Sequence, residues 1–216
     1  MRGLIGRKLG MTQVFDEVGR RVAVTVIQAG PCVVIQRKTA VRDGYDAVQL
    51  GFGVQKEHRV SKAQLTRFKN AKSTPMRWLR EFALDEGEQV DEGETVTAAL
   101  FEDAGYVDVC GLSKGRGFQG VVKRYGVSGG PFSHGGHSRR RIGAIGQCAY
   151  PGRVAKNQAM PGRMGTARVT QQNLKVIDVD TKRSLILVHG AVPGPTGGIL
   201  SVTRALKRPD EKRAAG

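Results

Sequence analysis

Between positions 109 and 177 the chain has no aspartate and no glutamate. Across those 69 residues neither a catalytic carboxylate pair nor a carboxylate that orients an imidazole can be assembled. Aromatic residues make up only 6% of the sequence. Within the acid-free stretch the candidate base-stackers Tyr125, Phe132 and Tyr150 are too sparse for a single-strand platform. Three cysteines, Cys32, Cys110 and Cys148, are odd in number and far apart, which argues against a disulfide framework and fits a reducing cytosol. No run approaches the roughly 20 apolar residues needed to span a bilayer. The opening MRGLIGRKLGMTQVF alternates apolar and polar residues, so no secretory signal is expected.

What fills the acid-free stretch is cation and glycine. It holds 12 Lys or Arg and 14 of the chain's 30 glycines. The whole chain has a net charge of +16 and a pI near 10.3, which points to an anionic partner. The charge is uneven: residues 1–100 carry 16 basic and 12 acidic side chains, residues 101–216 carry 19 and 7. A hydrophobic share of 39% is enough for one core.

Short β-type segments dominate elsewhere. Residues 3–16 alternate around Gly6 and Gly10 like a bent or bulged pair of strands. Residues 22–28 and 32–38 read as a hairpin about the turn Ala29-Gly30-Pro31. Strands are also predicted at 47–52, 78–84, 95–101 and 106–112, and a second hairpin at 174–179 and 184–189, with a last strand at 199–203. Leu65 and Phe68, three apart among Lys and Arg, predict a short amphipathic helix over 61–71 with Ser61 as its cap. Residues 85–94, with six acidic side chains in ten, read as a solvated loop. Such a succession predicts an antiparallel barrel or sandwich. From 126 to 164 periodicity vanishes, and a structureless run of that length is expected to leave the domain as an extended arm.

Three constellations bear on chemistry. Gly115-Arg116-Gly117-Phe118-Gln119-Gly120 spells G-x-G-x-x-G after a predicted strand, with a helix to follow over 117–125. A dinucleotide site would need an acidic residue about 20 positions on, and alternating βαβ units; neither is present. The same glycines suit a strand-to-helix turn whose N–H groups face phosphate, with Lys114, Arg116, Lys123 and Arg124 around it. His134 and His137, with Cys148 eleven residues beyond, lack a fourth ligand at a usual spacing for zinc. In a basic loop they suit base stacking or phosphate hydrogen bonds. The run Arg139-Arg140-Arg141, followed by Arg153, Lys156 and Arg163 among glycines and prolines, suits bidentate phosphate clamping with close backbone approach. No metal, cofactor, small-molecule substrate or membrane is expected, and no enzyme activity.

These residues carry a resemblance over nearly the whole chain. The opening Gly3-Leu-Ile-Gly-Arg-Lys-Leu-Gly-Met-Thr12 is similar to the start of the bacterial form of the universal large-subunit ribosomal protein three family. Phe101, Asp108, Gly111, Ser113, Gly115-Arg116-Gly117, Gly120 and Arg124 fit the spacing of its signature. Ser133-His134-Gly135, Gly143-Ala-Ile-Gly-Gln147, Met164-Gly165 and Gly190-Ala-Val-Pro-Gly194 follow in order.

The resemblance implies a mainly β fold: a split antiparallel β-barrel globular domain with short helices and a long extended non-globular arm inserted. By the match, residues 1–124 and 169–206 form the globular domain and 125–168 the RNA-penetrating arm with its tip near 147–151; residues 207–216, basic and with little to bury, are expected to be a disordered tail. It implies direct binding to large-subunit ribosomal RNA, neighbouring large-subunit ribosomal proteins as partners, early nucleation of assembly, and a cytoplasmic, ribosomal location. Gln147 at the tip and Arg168 at the arm's end join the RNA-binding set on this ground. Two positions depart from the family. Lys156-Asn-Gln-Ala-Met-Pro-Gly162 stands where many members have a more basic run, and Ala149 stands where some bacteria methylate a glutamine.

Overall fold

The computed structural model describes residues 1–85 and 87–208. The basic tail expected at 207–216 lies outside the described residues from position 209 onward. The chain divides into two compact units, Met1–Leu112 with Arg168–Gly216, and Ser113–Ala167.

In the first unit β1 (Gly3–Phe15), β2 (Arg21–Ala29), β3 (Cys32–Lys38), β4 (Ala47–Val54), β5 (Met76–Ala83), β6 (Thr95–Val96) and β7 (Tyr106–Leu112) come first. The second unit supplies β8 (Gly117–Gln119) and β9 (Gly162–Met164). The first resumes with β10 (Arg168–Asp180), β11 (Leu185–His189) and β12 (Ile199–Arg204). Helices α1 (Ala40–Asp43), α2 (Lys62–Asn70) and α3 (Val121–Tyr125) are short. The expected mainly β class is what forms.

Six antiparallel strands close a barrel in the order β1-β12-β7-β10-β11-β2. Its lining shows the two-residue repeat of a strand with one face inward. Val107 and Val109, Leu174 and Val176, Ile186 and Val188, and Leu200 and Val202 are all buried. Each such side chain contributes about 1.5–3 kcal/mol of transfer free energy, an upper figure because unfolded chains already bury part of it. A four-stranded sheet, β5-β4-β3-β6, shares this core through Val34, Leu50 and Phe82. Gly111 pairs with Leu200 in the β7–β12 ladder. A Cβ there would meet the Leu200 side chain at 2.6 Å, so that side chain fills the space the glycine leaves.

Several sequence expectations are corrected. Residues 3–16 form one long strand, not two, with the irregularity between Lys8 and Gly10 absorbing the bend. Residues 22–28 and 32–38 are not a hairpin: β2 pairs with β1 and β11, whereas β3 pairs with β4 and β6. Gly30, at φ +83° with its N–H donating to Ile5 O at 3.2 Å, turns the chain from barrel to sheet there. Only Thr95–Val96 of the strand expected at 95–101 is strand. The alanine-rich Ala98–Phe101 that follows is a 3-10 turn, in keeping with the weak β-propensity of alanine. Ser61 stands at the N-terminus of α2, but its side chain makes no capping hydrogen bond.

Two buried polar groups tie the barrel's loops. Lys8 Nζ donates to Val192 O at 3.2 Å and Gly194 O at 3.3 Å, which fixes the loop before β12. Thr25 Oγ1 donates to Gly190 O at 2.6 Å at the other end of that loop.

Candidate nucleic-acid interface

The second unit opens and closes on a backbone clasp. The Ser113 N–H donates to Ala167 O at 2.9 Å, and the Ala167 N–H donates to the Ser113 hydroxyl at 3.2 Å. One step further in, the Arg116 N–H donates to Met164 O at 2.9 Å. Strands β8 and β9 then pair Gly117 with Met164 and Gln119 with Gly162. The two chains approach closely because Gly165, at φ +78°, has no Cβ. One there would sit 2.9 Å from Gly115 Cα and 3.0 Å from Arg116 N.

The glycine motif takes part in the clasp as well as leading into the helix. Gly117–Gln119 is a strand that completes the clasp, and the helix occupies only Val121–Tyr125 instead of 117–125. Val121 is buried, and Gly126 ends the helix at φ 73° in the left-handed region. Gly120 stands between β8 and α3 as the residue at the helix's N-terminus.

The cations expected to bind RNA are brought into three groups. Lys114 and Arg116 flank the clasp and are exposed, as is Lys123 on α3. Arg124 is half-buried: Nη1 donates to Met160 O at 2.7 Å and its guanidinium lies 5.0 Å from the Tyr125 ring centroid. Gly162 leaves it room, since a Cβ there would meet Nη1 at 2.6 Å. Arg124 is thus a fixed cation, held before any partner arrives.

The second group lies on a fold-back over 129–141. The Gly130 N–H donates to Ser138 O at 3.2 Å, and His134 takes φ 58° at the turn. His134, His137, Arg140 and Arg141 are exposed, and Arg139 lies 5.9 Å from the Phe132 ring centroid. The third group surrounds an open depression of about 330 Å³ lined by Gln147, Arg153 and Gln158, with Ala144, Ile145 and Pro151 among its apolar walls. Lys156 and Arg163 are exposed in the same unit. Nothing in the sequence marks the amide of Gln158, since an isolated glutamine within 156–162 carries no motif.

Arg168 stands in the first unit, at the start of β10, where its Nε donates to Cys110 Sγ at 3.0 Å. Burial pushes the Cys110 thiol up, but hydrogen bonds from Thr170 and Arg168, with the guanidiniums of Arg168 and Arg80, outweigh it and hold the thiol below its ordinary value. The same contact raises Arg168. Among the described residues no group of three or more His, Cys, Asp or Glu side chains comes together as a metal site. No described helix is long and apolar enough to cross a membrane.

A closed antiparallel barrel carrying a polybasic, carboxylate-free insert defines the class: a β-barrel protein with a cationic appendage. Residues 79–184 match the family model described as Ribosomal protein L3. The large ribosomal subunit protein uL3 of Brachyspira pilosicoli is 47% identical over 213 residues, covering 99% of this chain and 98% of that one. The uL3 of Geobacter sulfurreducens is 48% identical over 206 residues, covering 95% and 98%. That of Desulfitobacterium hafniense is 48% identical over 206 residues, covering 95% and 97%. The chain belongs to the ribosomal protein L3 family, a family of structural proteins and not of enzymes.

Proposed function

We propose that the chain is a structural constituent of the large ribosomal subunit in the cytoplasm. It binds large-subunit ribosomal RNA directly, helps nucleate assembly, and supports the peptidyl-transferase region through its basic arm. The observation that carries this reading is likeness to uL3 relatives along nearly the full length of both chains. Residues 1–124 and 169–206 serve as the globular domain that orients the protein on RNA and neighbouring large-subunit proteins, and 207–216 as a basic tail. Residues 125–168 serve as the arm.

The mechanism is electrostatic and steric. Packed RNA helices repel through their phosphates, and an insert with 12 cations and no carboxylate over 109–177 lowers that repulsion. Lys114, Arg116, Lys123 and Arg124 neutralise phosphate at the clasp. His134, His137 and Arg139–Arg141 do so on the fold-back, and Gln147, Arg153, Lys156 and Arg163 beyond it, with Arg168 where the chain returns. Glycines let the backbone approach as closely as the guanidiniums do.

Sedimentation of a lysate through a high-salt wash tests the reading. The protein is expected to stay with large subunits, whereas a free RNA chaperone or nucleoid protein would be stripped as its affinity falls with salt. Recovery of the protein free of subunits would overturn it.

A further inference from the structure

Strand β1 runs on past the point where the barrel needs it. Its ladder to β12 ends at Arg7. The last bonds on that side are the Lys8 N–H to Gly198 O at 2.9 Å and the Gly197 N–H to Lys8 O at 2.7 Å. From Gly10 to Phe15 its strand partner is β2 alone. The turn joining the two strands is fixed. Asp16 Oδ1 accepts the Val18 N–H at 3.1 Å and the Arg20 N–H at 2.7 Å, and the Asp16 N–H donates to Arg20 O at 3.0 Å.

In an antiparallel pair, bonded and non-bonded residues alternate. The Asp16–Arg20 bond sets the phase. Gly10, Thr12 and Val14 therefore bond to β2, while Met11, Gln13 and Phe15 turn their backbone N–H and C=O groups to the open edge. Ala23, opposite Gln13, keeps the same phase: its carbonyl faces away from β1 and accepts the Gly190 N–H at 2.8 Å. Residues two apart share a face, so the Met11, Gln13 and Phe15 side chains stand together, and all three are exposed. No described residue bonds to this edge of β1 beyond Lys8.

The chemistry of the edge selects what can cover it. Residues 9–18 hold no Lys or Arg and two acids, Asp16 and Glu17, in a chain with 35 basic residues. Arg20 and Arg21 across the turn bring the ribbon to neutrality, so phosphate gains nothing there. Leu9, Met11, Phe15 and Val18 are exposed apolar side chains on the same ribbon. Proteins blunt a free edge with lysine, proline or an inward charge, and none of these stands between Gly10 and Phe15. An apolar, uncharged edge with three open N–H and three open C=O groups is complementary to extended polypeptide with apolar side chains at alternate positions.

We propose, resting on the ribosomal reading above, that the outer edge of β1 over 11–15 is a strand-addition site. It takes an extended apolar segment of a neighbouring large-subunit protein, which continues the β2–β1 ribbon by one strand.

The experiment uses the full-length protein assembled into large subunits in cells. Amide exchange is compared between free and subunit-bound protein, and Phe15→p-benzoylphenylalanine supplies a photocrosslinker at the edge. The amides of Met11, Gln13 and Phe15 should exchange more slowly in the subunit, while those of Gly10, Thr12 and Val14, already bonded to β2, should change little. Irradiation should join position 15 to one segment of another ribosomal protein. Gln13→Pro removes an outward N–H, spares the β2 ladder, and should cut protection at Met11 and Phe15 about tenfold. Gln13→Ala keeps that N–H and should leave protection intact; equal losses in both would overturn strand addition. Should the proline variant fail to fold, the wild-type exchange pattern and the crosslink decide. Uniform protection of all six amides, an adduct with ribosomal RNA or with a second copy of this chain, or no adduct would overturn the proposal and leave the ribosomal reading standing. Failure of the protein to enter large subunits would overturn both.

Discussion

Asp108 Oδ1 accepts the backbone N–H of Asn173 at 2.8 Å, at the place where the β7–β10 ladder slips between Gln171 and Leu174. Asp108 is buried, and Asn173 takes φ 56°, a region that asparagine tolerates better than most residues. The carboxylate therefore satisfies an N–H that the irregular ladder leaves without a strand partner. Asp108→Ala should destabilise the barrel by about 1–3 kcal/mol, the cost of an orphaned buried donor. Asn173→Gly keeps both the bond and the backbone region and should be close to neutral. Urea unfolding of the two variants checks this, and equal losses in both would refute it.

Gly165 gives a second prediction, confined to the clasp. A β-carbon there meets the Lys114 carbonyl and the Gly115 and Arg116 backbones, none of which is a flexible side-chain end. Gly165→Ala should cost about 1–3 kcal/mol of local stability, since it also holds alanine at positive φ. Amide exchange should speed up at Arg116, whose N–H is bonded to Met164 O, and stay slow at Val109 and Val202 in the barrel. Loss of protection at all three positions would contradict a local clasp.

The three thiols should separate by reactivity. Cys32 is buried, its thiol pushed up to about 11, and its Sγ donates to Ile5 O at 3.4 Å. Cys148 is exposed and Cys110 is partly so, beside Arg168. A disulfide reagent at neutral pH should titrate two thiols in the native protein and the third only in denaturant. Arg168→Gln should slow Cys110, because it removes a hydrogen bond to the thiolate. Three thiols reacting at one rate would disprove the ordering.

Local patterning reached some of this architecture and stopped at others. The second hairpin was legible because Leu174, Val176, Ile186 and Val188 keep a two-residue repeat on either side of a polar turn. The pairing of β3 with β4 and β6 was not, since strand partners are chosen by long-range packing, and an apparent turn at Gly30-Pro31 says nothing about which sheet comes next. For the candidate interface, charge composition marked the region but not its internal contacts. Nothing local tells that Arg124 reaches Met160, 36 residues away, or that Gly162 makes room for it. The clasp was missed for a related reason: G-x-G-x-x-G looks alike whether its glycines face phosphate or another strand.

The last prediction concerns acid. Glu81 accepts from Lys38 Nζ at 2.9 Å and from the Tyr45 hydroxyl at 2.9 Å, while Lys38 also donates to that hydroxyl at 2.6 Å. The hydrogen bond from Lys38 holds the Glu81 carboxyl below its ordinary value despite some burial, and bonds to Tyr45 and Glu81 hold Lys38 above its own. A carboxyl lowered on folding stabilises the fold above its unfolded value, and that contribution disappears as pH falls through the folded value. Lys38 works in the opposite sense, contributing below its unfolded value and losing that only in strong alkali. Between pH 6 and pH 3 the change therefore belongs to Glu81. Wild type should have a higher denaturant midpoint than Glu81→Gln at pH 6, by a small margin because solvent screens the pair. The two midpoints should converge by pH 3. A gap that persists unchanged at pH 3 would mean that glutamine disturbs packing, and that the Lys38–Glu81 bond carries none of the difference.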